Sequence, residues 1–283
     1  MPPRPSLPPS ADPARATVET DTTMVLAGQA SVDLRLYGSR RTGGGAPLVV
    51  HFHGGAFVSG DLDSGACLAR LMAAAGAVVV SVAYPLAPAH PFPQAVETGY
   101  AALQWAHQQR SKLAGPGARM FLAGEEAGGN LAAAVVLMAR DRAHPPLAGQ
   151  ILVAPMLDPC VGTASLREAM GTATCCKWTQ GWQQYLRSPM DAEHPYAVPG
   201  RTQRLAGLPP TLVLTGEDDP MHDEALAYAR RLQGAGIAVT AGVLPVTGWP
   251  DSLDQPADAE CACAASVQQH LRAFFDAAAA APS

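Results

Sequence analysis

The sequence predicts an α/β protein in which a mostly parallel sheet is covered by helices on both faces. Short apolar runs of the buried-strand type recur along the chain. Between them lie stretches whose apolar residues repeat every three or four positions, as in amphipathic helices. Runs that are apolar throughout, rather than alternating, are typical of parallel strands that helices cover on both sides.

The elements can be assigned in chain order. Alternating residues predict strand-like segments over 17–26 and 30–37, and apolar runs predict buried strands over 48–52, 77–82, 120–123, 151–154, 211–214 and 239–244. The helical periodicity predicts helices over 67–75, 96–103, 131–138, 225–232 and 267–275. Strands that alternate with helices in this way form βαβ units.

Two segments fall outside this alternation. Residues 1–16 are a Pro-rich tail, and residues 17–283 are predicted to form one domain. Residues 159–209 contain no strand-like run but do contain Trp178, Trp182 and Tyr185. An insertion of this length inside a compact domain usually serves function, often as a lid, so a small or reduced cap is predicted there.

Composition excludes several classes of protein. The net charge is −5, from 19 basic and 24 acidic residues, and gives no basic stripe for nucleic acid. No run reaches the roughly 18 apolar residues of a membrane span. The cysteines and histidines lack metal-ligand spacing, so no metal and no cofactor are predicted. The six cysteines are expected to be reduced thiols in a cytoplasmic protein.

Three predicted strands end in unusual residues. His53-Gly54-Gly55-Ala56-Phe57 follows the strand at 48–52, a Gly-Glu-Glu-Ala-Gly-Gly-Asn turn covers 124–130, and Gly-Glu-Asp-Asp-Pro covers 216–220. In open parallel sheets, ligands bind at the carboxyl ends of the strands. The sequence therefore predicts one site built from these three turns.

These motifs resemble those of the α/β-hydrolase fold, specifically the hormone-sensitive-lipase-like esterases. Residues 53–55 match the start of the HGGG motif, 84–88 resemble YRLAP, 124–130 align with GDSAGGN, and 219–224 resemble DPLRDE. The resemblance implies an oxyanion hole from the backbone N–H groups of Gly54, Gly55 and Ala127, with His53 shaping the loop. It also implies a small-molecule substrate or ligand, and it allows a homodimer.

The chain departs from the family pattern at two catalytic positions. Glu126 stands where the family has its nucleophilic serine, and Thr247 stands where it has its histidine, whereas Asp219 matches the family acid. Acyl transfer in this fold needs a nucleophile, a base and a group that orients the base. If Glu126 approached Asp219, their like charges would raise the pKa of one carboxyl group.

Three hypotheses follow from these departures. The first is a catalytically altered homologue, a pseudoenzyme that binds a small apolar carbonyl compound without hydrolysing it. The second is a non-hydrolytic enzyme, of the lyase, isomerase or cyclase type, that uses Glu126 as a general acid or base beside the oxyanion hole. The third is a residual carboxylic-ester hydrolase.

Overall fold

The computed structural model describes residues 18–25, 31–40, 44–170, 177–245 and 263–280. Within these ranges eight strands form one sheet of order β1-β2-β4-β3-β5-β6-β7-β8. The strands β1 and β2 pair antiparallel, as do β2 and β4, and all the remaining pairs are parallel. The strand bounds are β1 Glu19–Met24, β2 Val32–Tyr37, β3 Leu48–Phe52, β4 Val78–Val82, β5 Met120–Glu125, β6 Gly149–Val153, β7 Thr211–Gly216 and β8 Val239–Leu244.

Helices connect the parallel strands. Their bounds are α1 Ala66–Ala74, α2 Gln94–Leu113, α3 Ala127–Asp141, α4 Ala164–Met170, α5 Lys177–Tyr185, α6 His222–Gly234 and α7 Ala264–Ala280. Two short 3-10 helices, Asp191–Glu193 and Pro199–Arg201, lie with α4 and α5 in the connection between β6 and β7. This connection coincides with residues 159–209, for which the sequence predicts a cap-like insertion.

The core lies along the central strands and helix α3. Every residue of β3, β4, β5, β6 and β7 is buried, as is nearly all of α3. Burial of each large apolar side chain contributes about 1.5–3 kcal/mol to folding, so these strands anchor the site at their carboxyl ends. Gly128 lets α3 begin close to the sheet, because a Cβ there would lie 2.0 Å from the carbonyl oxygen of Phe52.

The predicted α/β class with a mostly parallel sheet is confirmed. The predicted tail at 1–16 lies outside the described residues. One expectation about the cysteines is wrong, since Cys263, just before α7, is disulfide-bonded rather than a reduced thiol.

Candidate active site

A strained turn joins β5 to α3 at Glu126. Its backbone has φ 52° and ψ −116°, a conformation that costs a residue other than glycine on the order of 1–3 kcal/mol. Hydrogen bonds from both sides hold the turn: Glu126 N donates to Val153 O at 3.0 Å, and Met156 N donates to Glu126 O at 2.9 Å. The turn therefore presents the Glu126 side chain at the carboxyl end of the sheet.

The Glu126 carboxylate fills an anion site made by the loop after β3. Its Oε2 accepts hydrogen bonds from Gly55 N at 2.6 Å and from Ala56 N at 3.3 Å. The loop has positive φ at three successive residues, 115° at Gly55, 51° at Ala56 and 67° at Phe57, and the two non-glycine residues are strained there. Two backbone donors that converge on one oxygen have the geometry of an oxyanion hole.

Helix α5 closes over the other oxygen of this carboxylate. Trp178 Nε1 donates a hydrogen bond to Glu126 Oε1, and Lys177 Nζ lies 3.9 Å from the same atom. The helix packs tightly on the loop after β3, where Phe57 stacks on Tyr185 with ring centroids 4.0 Å apart. The insertion between β6 and β7 thus contributes directly to the site.

Glu125, the last residue of β5, makes a separate set of hydrogen bonds. Its Oε2 lies 2.7 Å from His51 Nε2, and its Oε1 accepts a hydrogen bond from Gly54 N at 3.3 Å. His51 Nδ1 is in turn 2.7 Å from Ser81 Oγ. The three side chains are buried and form one hydrogen-bonded chain across β4, β3 and β5.

Asp219 follows β7 and is buried, and only one of its two carboxylate oxygens has a hydrogen-bond partner among the described residues. Its Oδ1 accepts a hydrogen bond from Met221 N at 2.7 Å, whereas its Oδ2 has no hydrogen-bond partner among the described residues. Burial raises the pKa of this carboxyl group to about 6. No hydrogen bond joins Asp219 to Glu126 within the described ranges, and their close approach stays a prediction.

A second buried acid, Glu224, lies five residues further along the chain, in the first turn of α6. Glu224 Oε2 accepts hydrogen bonds from Leu157 N at 2.8 Å and from Asp158 N at 2.6 Å, at the start of the insertion. Burial raises the pKa of Glu224 to about 8, although these two donors oppose the shift. Glu224 thereby anchors the first part of the connection between β6 and β7.

The residues predicted from sequence take different places. Gly55 donates to Glu126, but the N–H of Gly54 donates to Glu125 instead. His53 shapes the loop, since its Nδ1 bonds Gly54 O at 2.7 Å and its ring stacks on Tyr84 at 4.3 Å. Burial lowers the pKa of His53, which favours the neutral ring.

Two other residues were predicted from sequence to belong to the site, Ala127 and Thr247. Ala127 begins α3 directly after the turn. Thr247 lies outside the described residues, and its predicted place in the site rests on sequence alone.

The sequence alone did not predict several contacts of the site. It predicted donors from Gly54, Gly55 and Ala127 but not from Ala56, whose backbone N–H also donates to Glu126 Oε2. It did not predict that Trp178 and Lys177 reach Glu126. His51 and Ser81 did carry a signal, since each is a polar residue in an otherwise apolar strand.

Two features are absent from the described part of the chain. No group of three or more His, Cys, Asp or Glu side chains there is placed to hold a metal ion. None of its helices combines the length and apolar character that a bilayer crossing requires.

Comparison with known proteins connects this geometry to a family. The sequence matches the family model described as the alpha/beta hydrolase fold over residues 49–247. Esterase LipI of Mycobacterium tuberculosis is 37% identical over 199 residues, which cover 69% of this chain and 62% of LipI. Carboxylic ester hydrolase LipN of the same organism is 41% identical over 211 residues, which cover 71% of this chain and 56% of LipN. The matched region therefore spans about three fifths of each of these relatives.

A solved structure extends the match. A thermostable esterase from Pseudomonas putida ECU1011 superposes with a TM-score of 0.80 at 31% identity, covering 92% of this chain and 84% of that chain. These findings contradict the first hypothesis, a homologue that binds without hydrolysing, because LipI, LipN and the carboxylesterase NlhH of Mycobacterium tuberculosis, at 33–41% identity, are all named as ester hydrolases. They favour the third hypothesis, a carboxylic-ester hydrolase, over the other two.

Proposed function

Because the chain belongs to the alpha/beta hydrolase fold family, we propose that it hydrolyses small carboxylic esters. The observation that carries this proposal is the pair of N–H groups, of Gly55 and Ala56, that converge on one oxygen at the turn after β5. The carbonyl oxygen of a bound ester would take the position of Glu126 Oε2. There it would meet donors already aimed at the negative charge that develops during attack.

We infer that Glu126 occupies the position that serine holds in the esterases this chain resembles, and that it acts as the base. Displaced from the hole by the carbonyl oxygen, its carboxylate stays beside the carbonyl carbon and takes a proton from an attacking water molecule. The oxyanion that forms is held by the two backbone donors. When it collapses, the bond to the leaving oxygen breaks and Glu126 returns the proton to the departing alkoxide.

The other site residues support this role in the proposal. Trp178 and Lys177 hold Glu126 Oε1, which keeps the carboxylate near the reacting carbon. Asp219 and Thr247 stay proposed site residues. Asp219 is proposed for a buried oxygen that has no hydrogen-bond partner among the described residues, and Thr247 for its place in chain order. The cytoplasmic location and the homodimer considered from the sequence also remain predictions.

Hydrolysis of p-nitrophenyl acetate by the purified protein and by Glu126→Gln tests the proposal. Glutamine keeps an acceptor for the backbone donors but cannot take a proton, so a rate loss of about 10²–10⁴-fold is expected. Glu97→Gln, at a half-exposed glutamate on α2, is the control and should keep full activity. If the native protein hydrolyses p-nitrophenyl acetate no faster than buffer alone does, the proposed esterase activity is refuted. Full activity in Glu126→Gln would refute the role of Glu126 as base.

A further inference from the structure

Three buried polar side chains lie directly beneath the proposed oxyanion hole. Ser81 on β4, His51 on β3 and Glu125 on β5 are joined by contacts of 2.7 Å between Ser81 Oγ and His51 Nδ1 and between His51 Nε2 and Glu125 Oε2. His51 and Ser81 are direct neighbours in the parallel register of β3 and β4. All three are almost completely removed from solvent.

Their burial needs a reason beyond stability. The neighbours along β3 and β4 are Val and Phe, and apolar side chains would fill these positions without desolvating polar groups. Replacing a buried polar or ionic set by well-packed apolar residues is often neutral or stabilising. A hydrogen-bonded set held in such a place is better explained by what it orients.

This hydrogen-bonded set of three side chains ends at the loop after β3, whose N–H groups form the proposed oxyanion hole. Glu125 Oε1 accepts the N–H of Gly54, and the next two N–H groups, of Gly55 and Ala56, go to Glu126 Oε2. Two successive glutamates therefore divide three successive backbone donors between them. Gly54 and Gly55 have the greatest backbone freedom of any residue type, so this loop needs an external acceptor to hold its peptide planes.

We infer that Glu125 is a positioning residue for the oxyanion hole, held in place by His51 and Ser81. By fixing the N–H of Gly54, it orients the following peptide so that the N–H of Gly55 points at the hole. Glu125 touches neither substrate nor reacting atoms in this role. The inference rests on the proposed ester hydrolysis for its kinetic consequence, but its geometric consequence stands apart from any turnover.

Glu125→Met tests this, because methionine has a similar length and offers Gly54 N no comparable acceptor. The matched control is Gln150→Met on β6, which removes another buried strand hydrogen bond, from Gln150 Nε2 to Thr211 Oγ1 at 2.9 Å, away from the loop. Ester hydrolysis gives kcat and KM. Amide hydrogen exchange of Gly55, followed by NMR, reports the loop without any substrate.

Glu125→Met should lower kcat by about ten- to a hundredfold, somewhat less than the loss of a whole oxyanion donor, with KM changed by less than threefold. The Gly55 amide should exchange at least tenfold faster, whereas Gln150→Met should change neither quantity. Glu125→Gln, which keeps an acceptor oxygen, should restore most of the protection and of kcat. If Glu125 served stability alone, the exchange of Gly55 and kcat would change no more in Glu125→Met than in Gln150→Met.

Several results would overturn the inference. One is a Glu125→Met protein whose Gly55 exchange and kcat match those of Gln150→Met. If the native protein hydrolyses no ester, the proposed function fails, and the exchange of Gly55 alone decides the positioning role. If Glu125→Met does not fold, Glu125→Asp replaces it, because its shorter side chain withdraws the carboxylate from Gly54 and must give the same changes.

Discussion

The contact between helix α5 and the oxyanion loop makes a sharp prediction at Gly181. A Cβ added to Gly181 would lie 2.2 Å from the carbonyl oxygen of Ala56 and 2.8 Å from its Cβ. Ordinary contact begins near 3.4 Å, so helix and loop must separate by about 1 Å in Gly181→Ala. The obstacle is backbone, which cannot rotate away as a flexible side chain would.

The magnitude follows from two opposing effects. Glycine to alanine inside a helix gains about 1 kcal/mol of intrinsic propensity. Overpacking against a fixed neighbour costs about 1–3 kcal/mol, and a backbone collision falls at the upper end of that range. The free energy of unfolding should therefore fall by about 2 kcal/mol. A shift of about 1 Å at the site should lower kcat/KM about a hundredfold.

Urea unfolding and ester hydrolysis measure both effects. Gly234→Ala is the matched control, since Gly234 closes α6 and a Cβ there would meet nothing within 4 Å. It should gain stability by a few tenths of a kcal/mol up to about 1 kcal/mol and keep full activity. If Gly181→Ala behaves like this control, α5 does not press on the loop and the reasoning is wrong.

Three further predictions follow from the site. Trp178→Phe keeps the ring but removes the donor to Glu126, so kcat should fall about three- to tenfold, with stability changed by about 1 kcal/mol; an unchanged kcat would contradict the contact. Glu126→Ala leaves three donors without their acceptor and does not relieve the positive φ, so urea unfolding should show a loss of about 1–2 kcal/mol, and a more stable variant would contradict it. The raised pKa of Glu224 means that its protonated form stabilises the fold; this contribution is complete below the unfolded-state pKa of 4.5 and is lost as pH rises through about 8. The unfolding free energy of the native protein should therefore fall between pH 5 and pH 9 by an amount on the order of 4 kcal/mol relative to Glu224→Gln, and parallel pH profiles would refute it.

The sequence predicted most of the fold because its strands carry an unambiguous pattern. Leu48–Phe52 and Val78–Val82 are short and almost wholly apolar, which restricts them to buried strands flanked by helices. The end of β5 was harder to predict. The strand runs on through Gly124 and Glu125, two residue types that strands disfavour, because the parallel pairing with β6 continues to that point.

The site could be predicted only in part. Strand topology brings the turns at Gly55 and Glu126 to one edge of the sheet, so their proximity follows from sequence. The contact of Trp178 with Glu126 does not, because it joins residues 52 positions apart and depends on how α5 packs on Phe57 and Tyr185. Periodicity places a residue on a face of its own helix but does not say which loop that face meets.

The carboxylate that fills the hole also bears on how products leave. Ester hydrolysis releases a carboxylic acid, and its anion is the ligand that two converging N–H groups would bind best. Glu126 is tethered beside those donors, so it competes at a far higher effective concentration than a dissolved product can reach. In the proposed reaction, its return to Gly55 N and Ala56 N would expel the product anion. Inhibition by acetate or butyrate should accordingly stay weak even where these anions accumulate.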